Sequence, residues 1–199
     1  MAMLKNIIEE IFPETLKILS DLIKFQTVSG TSNIELIDYC EKKLNLSGAT
    51  SFKTFDDAKL RANLFSTING KNKQNGGGII LSGHTDVVPA SIKEWSSNPF
   101  TSTEKENKIY GRGSCDMKGF IACAIALAPY FTSQNLKKPI HFSFTYDEET
   151  ACQGAPVLIE ELKKRKIKCS ICIVGEPTNM KAIQAHKGCY EYSTHFTGL

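Results

Sequence analysis

Apolar residues recur along this chain at two different spacings. Over residues 14–25, Leu16, Leu19 and Ile23 fall three or four positions apart just after Pro13, which predicts a helix there. Residues 33–46 repeat the pattern with Ile34, Ile37 and Leu44. The spacing then shortens. Residues 51–55 and 62–68 read as strands, and 69–78 (NGKNKQNGGG) read as a loop by composition. Residues 78–82 form a short continuous apolar strand, and 117–130 read as a buried helix. Ile140, Phe142 and Phe144 alternate through a strand over 139–146. An amphipathic helix over 154–166 and an apolar strand over 170–174 follow. This order predicts an α/β fold: a mixed, largely parallel sheet flanked by helices. Residues 190–196 alternate once more, as the start of a further strand.

Composition narrows the class. With 199 residues, 41% hydrophobic and 23% charged, the chain resembles an ordinary globular domain. A net charge of +3 is too mild for a nucleic-acid surface. The opening MAMLKNIIEEIF lacks the uninterrupted apolar stretch of a signal peptide. The most apolar helical run, residues 120–131, is about a dozen residues and too short for a bilayer. The expectation is a cytoplasmic protein with no membrane partner. Seven cysteines, an odd number, include Cys123 and Cys172 inside apolar runs. Reduced, buried thiols are expected rather than a disulfide framework.

Three apolar strands end abruptly in ionisable residues. They lead into Ser82-Gly83-His84-Thr85-Asp86, Tyr146-Asp147-Glu148-Glu149 and Gly175-Glu176-Pro177. Between them, Gly113-Ser114-Cys115-Asp116 leads into the apolar helix. In open α/β sheets, sites gather at the carboxyl ends of strands, so one histidine and several carboxylates are expected at one rim. Clustered carboxylates resist joint ionisation unless a cation relieves them. Imidazole with carboxylates suits zinc, and cobalt or manganese less specifically. Asp86, two residues from His84 on an extended segment, faces the same side and fits a carboxylate that fixes the imidazole tautomer. Glu148 and Glu149 are adjacent and should diverge, one toward a metal and the other toward a proton.

The segments SGHTDVVPA, YGRGSCDMKGF, TYDEET and VGEPT resemble the signature segments of the acetylornithine deacetylase and succinyl-diaminopimelate desuccinylase family of di-zinc hydrolases. EWSSNPF and GEPTNMKAIQAHKG resemble its acetylornithine deacetylase branch. The resemblance implies hydrolysis of an acyl-amide on a small amino acid, such as N-acetylornithine giving ornithine and acetate in arginine biosynthesis. It implies that His84, Asp116 and Glu176 bind a first zinc and that Asp116 bridges to a second held by Glu149. Glu148 would be the general base, Asp86 would orient His84, and the Asp116–Met117 peptide would be cis. The family is homodimeric through a lid domain, and a distal histidine completes its second zinc site. On that pattern residues 1–185 are a catalytic metal-binding portion, and 186–199 begin the lid. His186 and His195 do not match the distal histidine, so one zinc is expected here, with apolar surface and a sheet edge exposed and activity impaired. The alternative expectation is an inactive or split-gene fragment that holds at most one zinc or needs a second chain.

Other signals are weaker. Cys169-Ser170-Ile171-Cys172 has no second pair and reads as strand cysteines. The basic run at 163–168 reads as a solvated helix end. Gly111-Arg112-Gly113 lacks the third glycine of a dinucleotide fingerprint, since Asp116 stands there. His186-Lys187-Gly188 reads equally as a substrate-carboxylate contact or as a hinge.

Overall fold

The runs read as strands pair side by side in a computed structural model that describes residues 2–71, 77–185, 187, 188, 190 and 192–198. In chain order the strands are β1 (Thr50–Phe55), β2 (Ala62–Ile68), β3 (Ile79–His84), β4 (Thr103–Lys105), β5 (Lys108–Tyr110), β6 (Ile140–Thr145) and β7 (Ile171–Val174). The helices are α1 (Ala2–Lys24), α2 (Ile34–Leu46), α3 (Lys118–Ser133) and α4 (Gly154–Lys164). The main sheet has the order β1-β2-β6-β3-β7. β3 is parallel to both β6 and β7, while β2 is antiparallel to β1 and β6. Only β2 therefore runs against the others, which gives the mixed, largely parallel sheet.

Strand alternation sorts the side chains between two faces. Leu64, Phe142 and Phe144 pack with Ile18, Leu22, Leu36, Ile37, Ile121 and Ile125 from α1, α2 and α3. The neighbouring positions Phe65 and Ile80 face the other way and meet Leu158 of α4. The result is helices on both sides of one sheet. α4 ends with Lys163 and Lys164 in its last turn, and Arg165 bonds Glu161. The basic run is thus a helix end, where cations complement the exposed carbonyls.

Several details differ from the sequence pattern. α1 starts at Ala2, with Pro13 inside it. Ile7 and Ile11 carry the half-buried stripe into Ile18 and Leu22, so the amphipathic pattern outweighs the one backbone hydrogen bond that proline forfeits. The β4–β5 hairpin carried no glycine signal, because its turn places Glu106 and Asn107 at φ 53° and 58°. The cysteine expectation needs correction. Of the described cysteines only Cys40 is buried, and Cys123 and Cys172 are exposed, although all are free thiols. Cys123 sits on the outer side of α3, and Cys172 lies on the sheet's edge strand. Residues 190 and 192–198 form no strand, since no described strand edge pairs with them; Tyr190, Tyr192 and Phe196 are exposed. On β7, Ile171, Ile173 and Val174 are exposed as well. Among the described residues no helix is long and apolar enough to cross a membrane.

Candidate metal centre

The parallel strands deliver three segments to one rim. β3 ends on His84, which is in register with Thr145 at the end of β6. Ser82 is in register with Val174 at the end of β7, and the Gly175 N–H donates to the Ser82 carbonyl at 3.1 Å. His84, the Asp147-Glu148-Glu149 turn and Glu176 therefore meet where an α/β sheet gathers its ligands. Asp116 arrives from the loop before α3, and the Asp116–Met117 peptide is cis. Met117 is buried, and its sulfur accepts the His84 backbone N–H at 3.3 Å. Lys118, fully buried, donates to the carbonyls of Leu22 at 3.0 Å and Phe25 at 2.7 Å, tying the start of α3 to the end of α1.

All six candidate residues lie together. His84 is only 2% exposed. Its Nδ1 faces Asp86, 3.0 Å from the backbone oxygen and 3.4 Å from Oδ1. Its Nε2 faces the acidic cluster: Asp116 Oδ1 at 3.0 Å, Glu176 Oε1 at 3.7 Å and Glu148 Oε2 at 3.9 Å. Glu148 and Glu149 diverge. Glu149 groups with His84 and Asp116, and Glu148 groups with His84 and Glu176; within each trio the ligand atoms lie within 4.8 Å of one another. The trio that the resemblance implied, His84 with Asp116 and Glu176, cuts across these two groupings. His195 is exposed and belongs to neither trio, and His186 lies outside the described residues.

The charges at this rim are out of balance in a way that a cation would correct. Burial works against a charged imidazole. The hydrogen bond and charge of Asp86 and the carboxylates of Glu176 and Glu148 outweigh burial and raise the His84 pKa to about 9. Burial and the charge of Asp116 raise Glu149. Burial, then Asp116 and Glu148, raise Glu176 against the pull of His84. Asp86 moves the other way. Burial opposes its ionisation, but His84, the Ser29 hydroxyl and the Glu148 N–H hold its carboxyl below the usual range. An Asp86 carboxyl held below its usual range behind the imidazole and crowded carboxylates in front of it fit a divalent cation held by nitrogen and oxygen. Asp116, Glu148 and Glu176 are partly solvent-exposed, which leaves a face of the cluster open. A cleft of about 670 Å3 opens there, with His84, Glu148 and Glu176 on its wall and Leu158, Leu162 and Val174 among its apolar lining.

Supporting residues escaped the sequence pattern. Ser29 Oγ donates to Asp86 Oδ2 at 2.7 Å. Thr27 Oγ1 donates to the Thr85 carbonyl at 2.6 Å, and Asn33 Nδ2 donates to Thr85 Oγ1 at 2.8 Å. These contacts hold the His84–Asp86 segment from below. They join residues more than fifty positions apart, so no local spacing announces them.

Comparison with known proteins agrees with this architecture. Residues 80–197 match peptidase family M20/M25/M40. An acetylornithine deacetylase from Buchnera aphidicola subsp. Schizaphis graminum is 36% identical, over 94% of this chain and 49% of its own. The chain spans about half the length of the curated relatives it matches. Human carnosine dipeptidase 1 shares the fold, with TM-score 0.72 and 20% identity over 86% of this chain and 40% of its own. An M20 family metallo-carboxypeptidase from Sulfolobus solfataricus does so too, with TM-score 0.69 and 23% identity over 81% and 37%.

Proposed function

This chain belongs to peptidase family M20/M25/M40, and from that membership we propose that its His84 cluster is a divalent-metal centre that hydrolyses an acyl-amide on a small amino acid, with N-acetylornithine as the substrate. One observation carries the reading: a buried histidine is backed by an ionised carboxylate while its free nitrogen faces three further carboxylates.

His84, Asp116 and Glu176 would hold a first metal, zinc by preference and cobalt as a substitute, and Asp116 with Glu149 would offer a second, weaker position. The metal would supply Lewis-acid polarisation of the amide carbonyl and easier ionisation of water. Asp86 holds the Nδ1 proton of His84, so Nε2 is the nitrogen that would give up its proton to a metal. The Glu148 carboxylate takes the proton of the attacking water and returns it to the leaving amine nitrogen, so the reaction closes with no net proton taken up by the enzyme. The names of the curated relatives support the acetylornithine choice. The cleft beside Glu148 offers room for a small acylated amino acid.

Hydrolysis of N-acetylornithine by the purified chain, followed as ornithine release, tests the proposal. The rate should vanish after dialysis against a chelator and return with added zinc or cobalt. A rate that ignores the chelator, or that no metal restores, would overturn it.

A further inference from the structure

Asp147 opens the acidic turn at the end of β6, yet its side chain points away from the cluster. It is 1% exposed. Its Oδ1 accepts the Gly30 N–H at 2.8 Å, and its Oδ2 takes Nη1 of the Arg61 guanidinium. Asp147 sits at φ 51°, so the chain folds back on itself there. The next two N–H groups then point at Asp86: Glu148 donates to Oδ1 at 3.0 Å and Glu149 to Oδ2 at 3.2 Å. The turn is gripped from opposite sides, by Asp86 through its backbone and by Arg61 through its first side chain.

Arg61 is itself held in place. Its Nε bonds Asp56 Oδ2 at 2.9 Å, while Asp56 Oδ1 caps the N–H groups of Leu60 and Arg61 at 2.8 and 3.0 Å. The guanidinium lies 5.5 Å from the centre of the Tyr146 ring. A buried carboxylate without a cation is costly, because one N–H from Gly30 cannot replace the hydration it has lost. Without the guanidinium, Asp147 relieves that cost by moving toward water. The backbone it would drag carries Glu148 and Glu149.

We propose that Arg61 is a positioning residue that acts through Asp147 to set the Glu148–Glu149 pair at the metal centre. It touches no reacting atom. The role rests on the metal-dependent reading above, and its test uses Co(II) as the probe, titrated by visible absorption below each protein's unfolding transition. Arg61→Met should weaken Co(II) binding by about tenfold and alter the visible band, the scale seen when partners behind a metal ligand are removed. Arg61→Lys keeps the charge but not the planar fork that reaches Asp56 and Asp147 together, so it should weaken Co(II) binding by about threefold, a smaller loss than Arg61→Met shows. Lys53→Met removes an ion pair of β1 with Asp38 and Glu41 that involves no cluster residue. It should lower the melting temperature and leave Co(II) affinity unchanged.

Wild-type affinity and spectrum in folded Arg61→Met would overturn the proposal, as would equal weakening by Lys53→Met. If Arg61→Met does not fold, Arg61→Lys decides: a measurable loss of affinity supports the role and an unchanged titration overturns it. Failure of wild type itself to bind Co(II) would instead remove the metal reading, and this role with it.

Discussion

The Asp86 carboxylate lies between His84 and Glu148: one oxygen sits 3.4 Å from the imidazole Nδ1 and also accepts the Glu148 backbone N–H at 3.0 Å. A residue outside both candidate metal trios thereby contacts both the imidazole and the turn carrying Glu148. Its second oxygen takes the Ser29 hydroxyl and the Glu149 N–H. Asp86→Asn would turn an NH2 group against these donors, because an amide offers only one acceptor oxygen. The expected cost is about 1–3 kcal/mol of stability from donors left unsatisfied. Zinc affinity should fall roughly 10- to 100-fold. Urea denaturation and zinc competition titrations measure the two effects, and wild-type values for both would show that Asp86 orients nothing.

The His84 pKa gives a pH dependence with a defined sign. In the metal-free protein the group sits at about 9 against an ordinary 6.5. A raised pKa adds stability that is fully present below pH 6.5 and is lost as pH climbs through 9. Glu149 and Glu176, also raised, act with the same sign in their own lower range. Burial lowers Lys118 to about 8, which acts in the opposite direction above that pH, so the His84 effect is clearest between 6.5 and 8. Metal must displace the His84 proton. Between pH 7 and 8, zinc binding should therefore release about one proton and tighten as pH rises. Calorimetric titration in buffers of different ionisation enthalpy reads the proton count. A count of zero would place the proton elsewhere.

Glu176 depends on a close approach just before it. A Cβ built on Gly175 would lie 2.0 Å from the Phe120 ring, closer than real contacts allow. Gly175→Ala must therefore displace either Phe120 or the segment that presents Glu176. Overpacking of this kind costs about 1–3 kcal/mol. The expected result is weaker zinc binding together with a lowered urea midpoint. Unchanged zinc binding in the folded variant would show that Glu176 tolerates the shift.

Much of this architecture is legible in the pattern of residues, and the reason is physical. β3 and β7 open as short apolar runs and β6 alternates apolar with polar positions, and in each the point where ionisable residues appear marks the rim of the sheet. His84, the Glu148–Glu149 pair and Glu176 stand at such points, Asp116 stands just before the apolar run of α3, and the resemblance to known signature segments implied its role. The support behind them is less visible. Arg61 and Asp147 meet across 86 positions, and Ser29 and Asp86 across 57. Arg61 reads as an ordinary surface cation until the fold brings it to a buried carboxylate. Pro13 misled in the other direction. A proline that often opens a helix lies inside α1, because the apolar stripe upstream of it continues to pack. Cys123 and Cys172 lie in apolar sequence yet face solvent, since local hydrophobicity does not reveal which side of a helix or which edge of a sheet a residue occupies.

The most direct test of the central claim is the zinc content of the wild-type and Glu148→Gln proteins, measured beside N-acetylornithine hydrolysis by each. Both proteins should hold zinc and only wild type should hydrolyse, with the variant's rate lower by about 100-fold or more, the contribution of a general base. Hydrolysis by Glu148→Gln at the wild-type rate, or absence of bound zinc from the wild-type protein, would contradict the account.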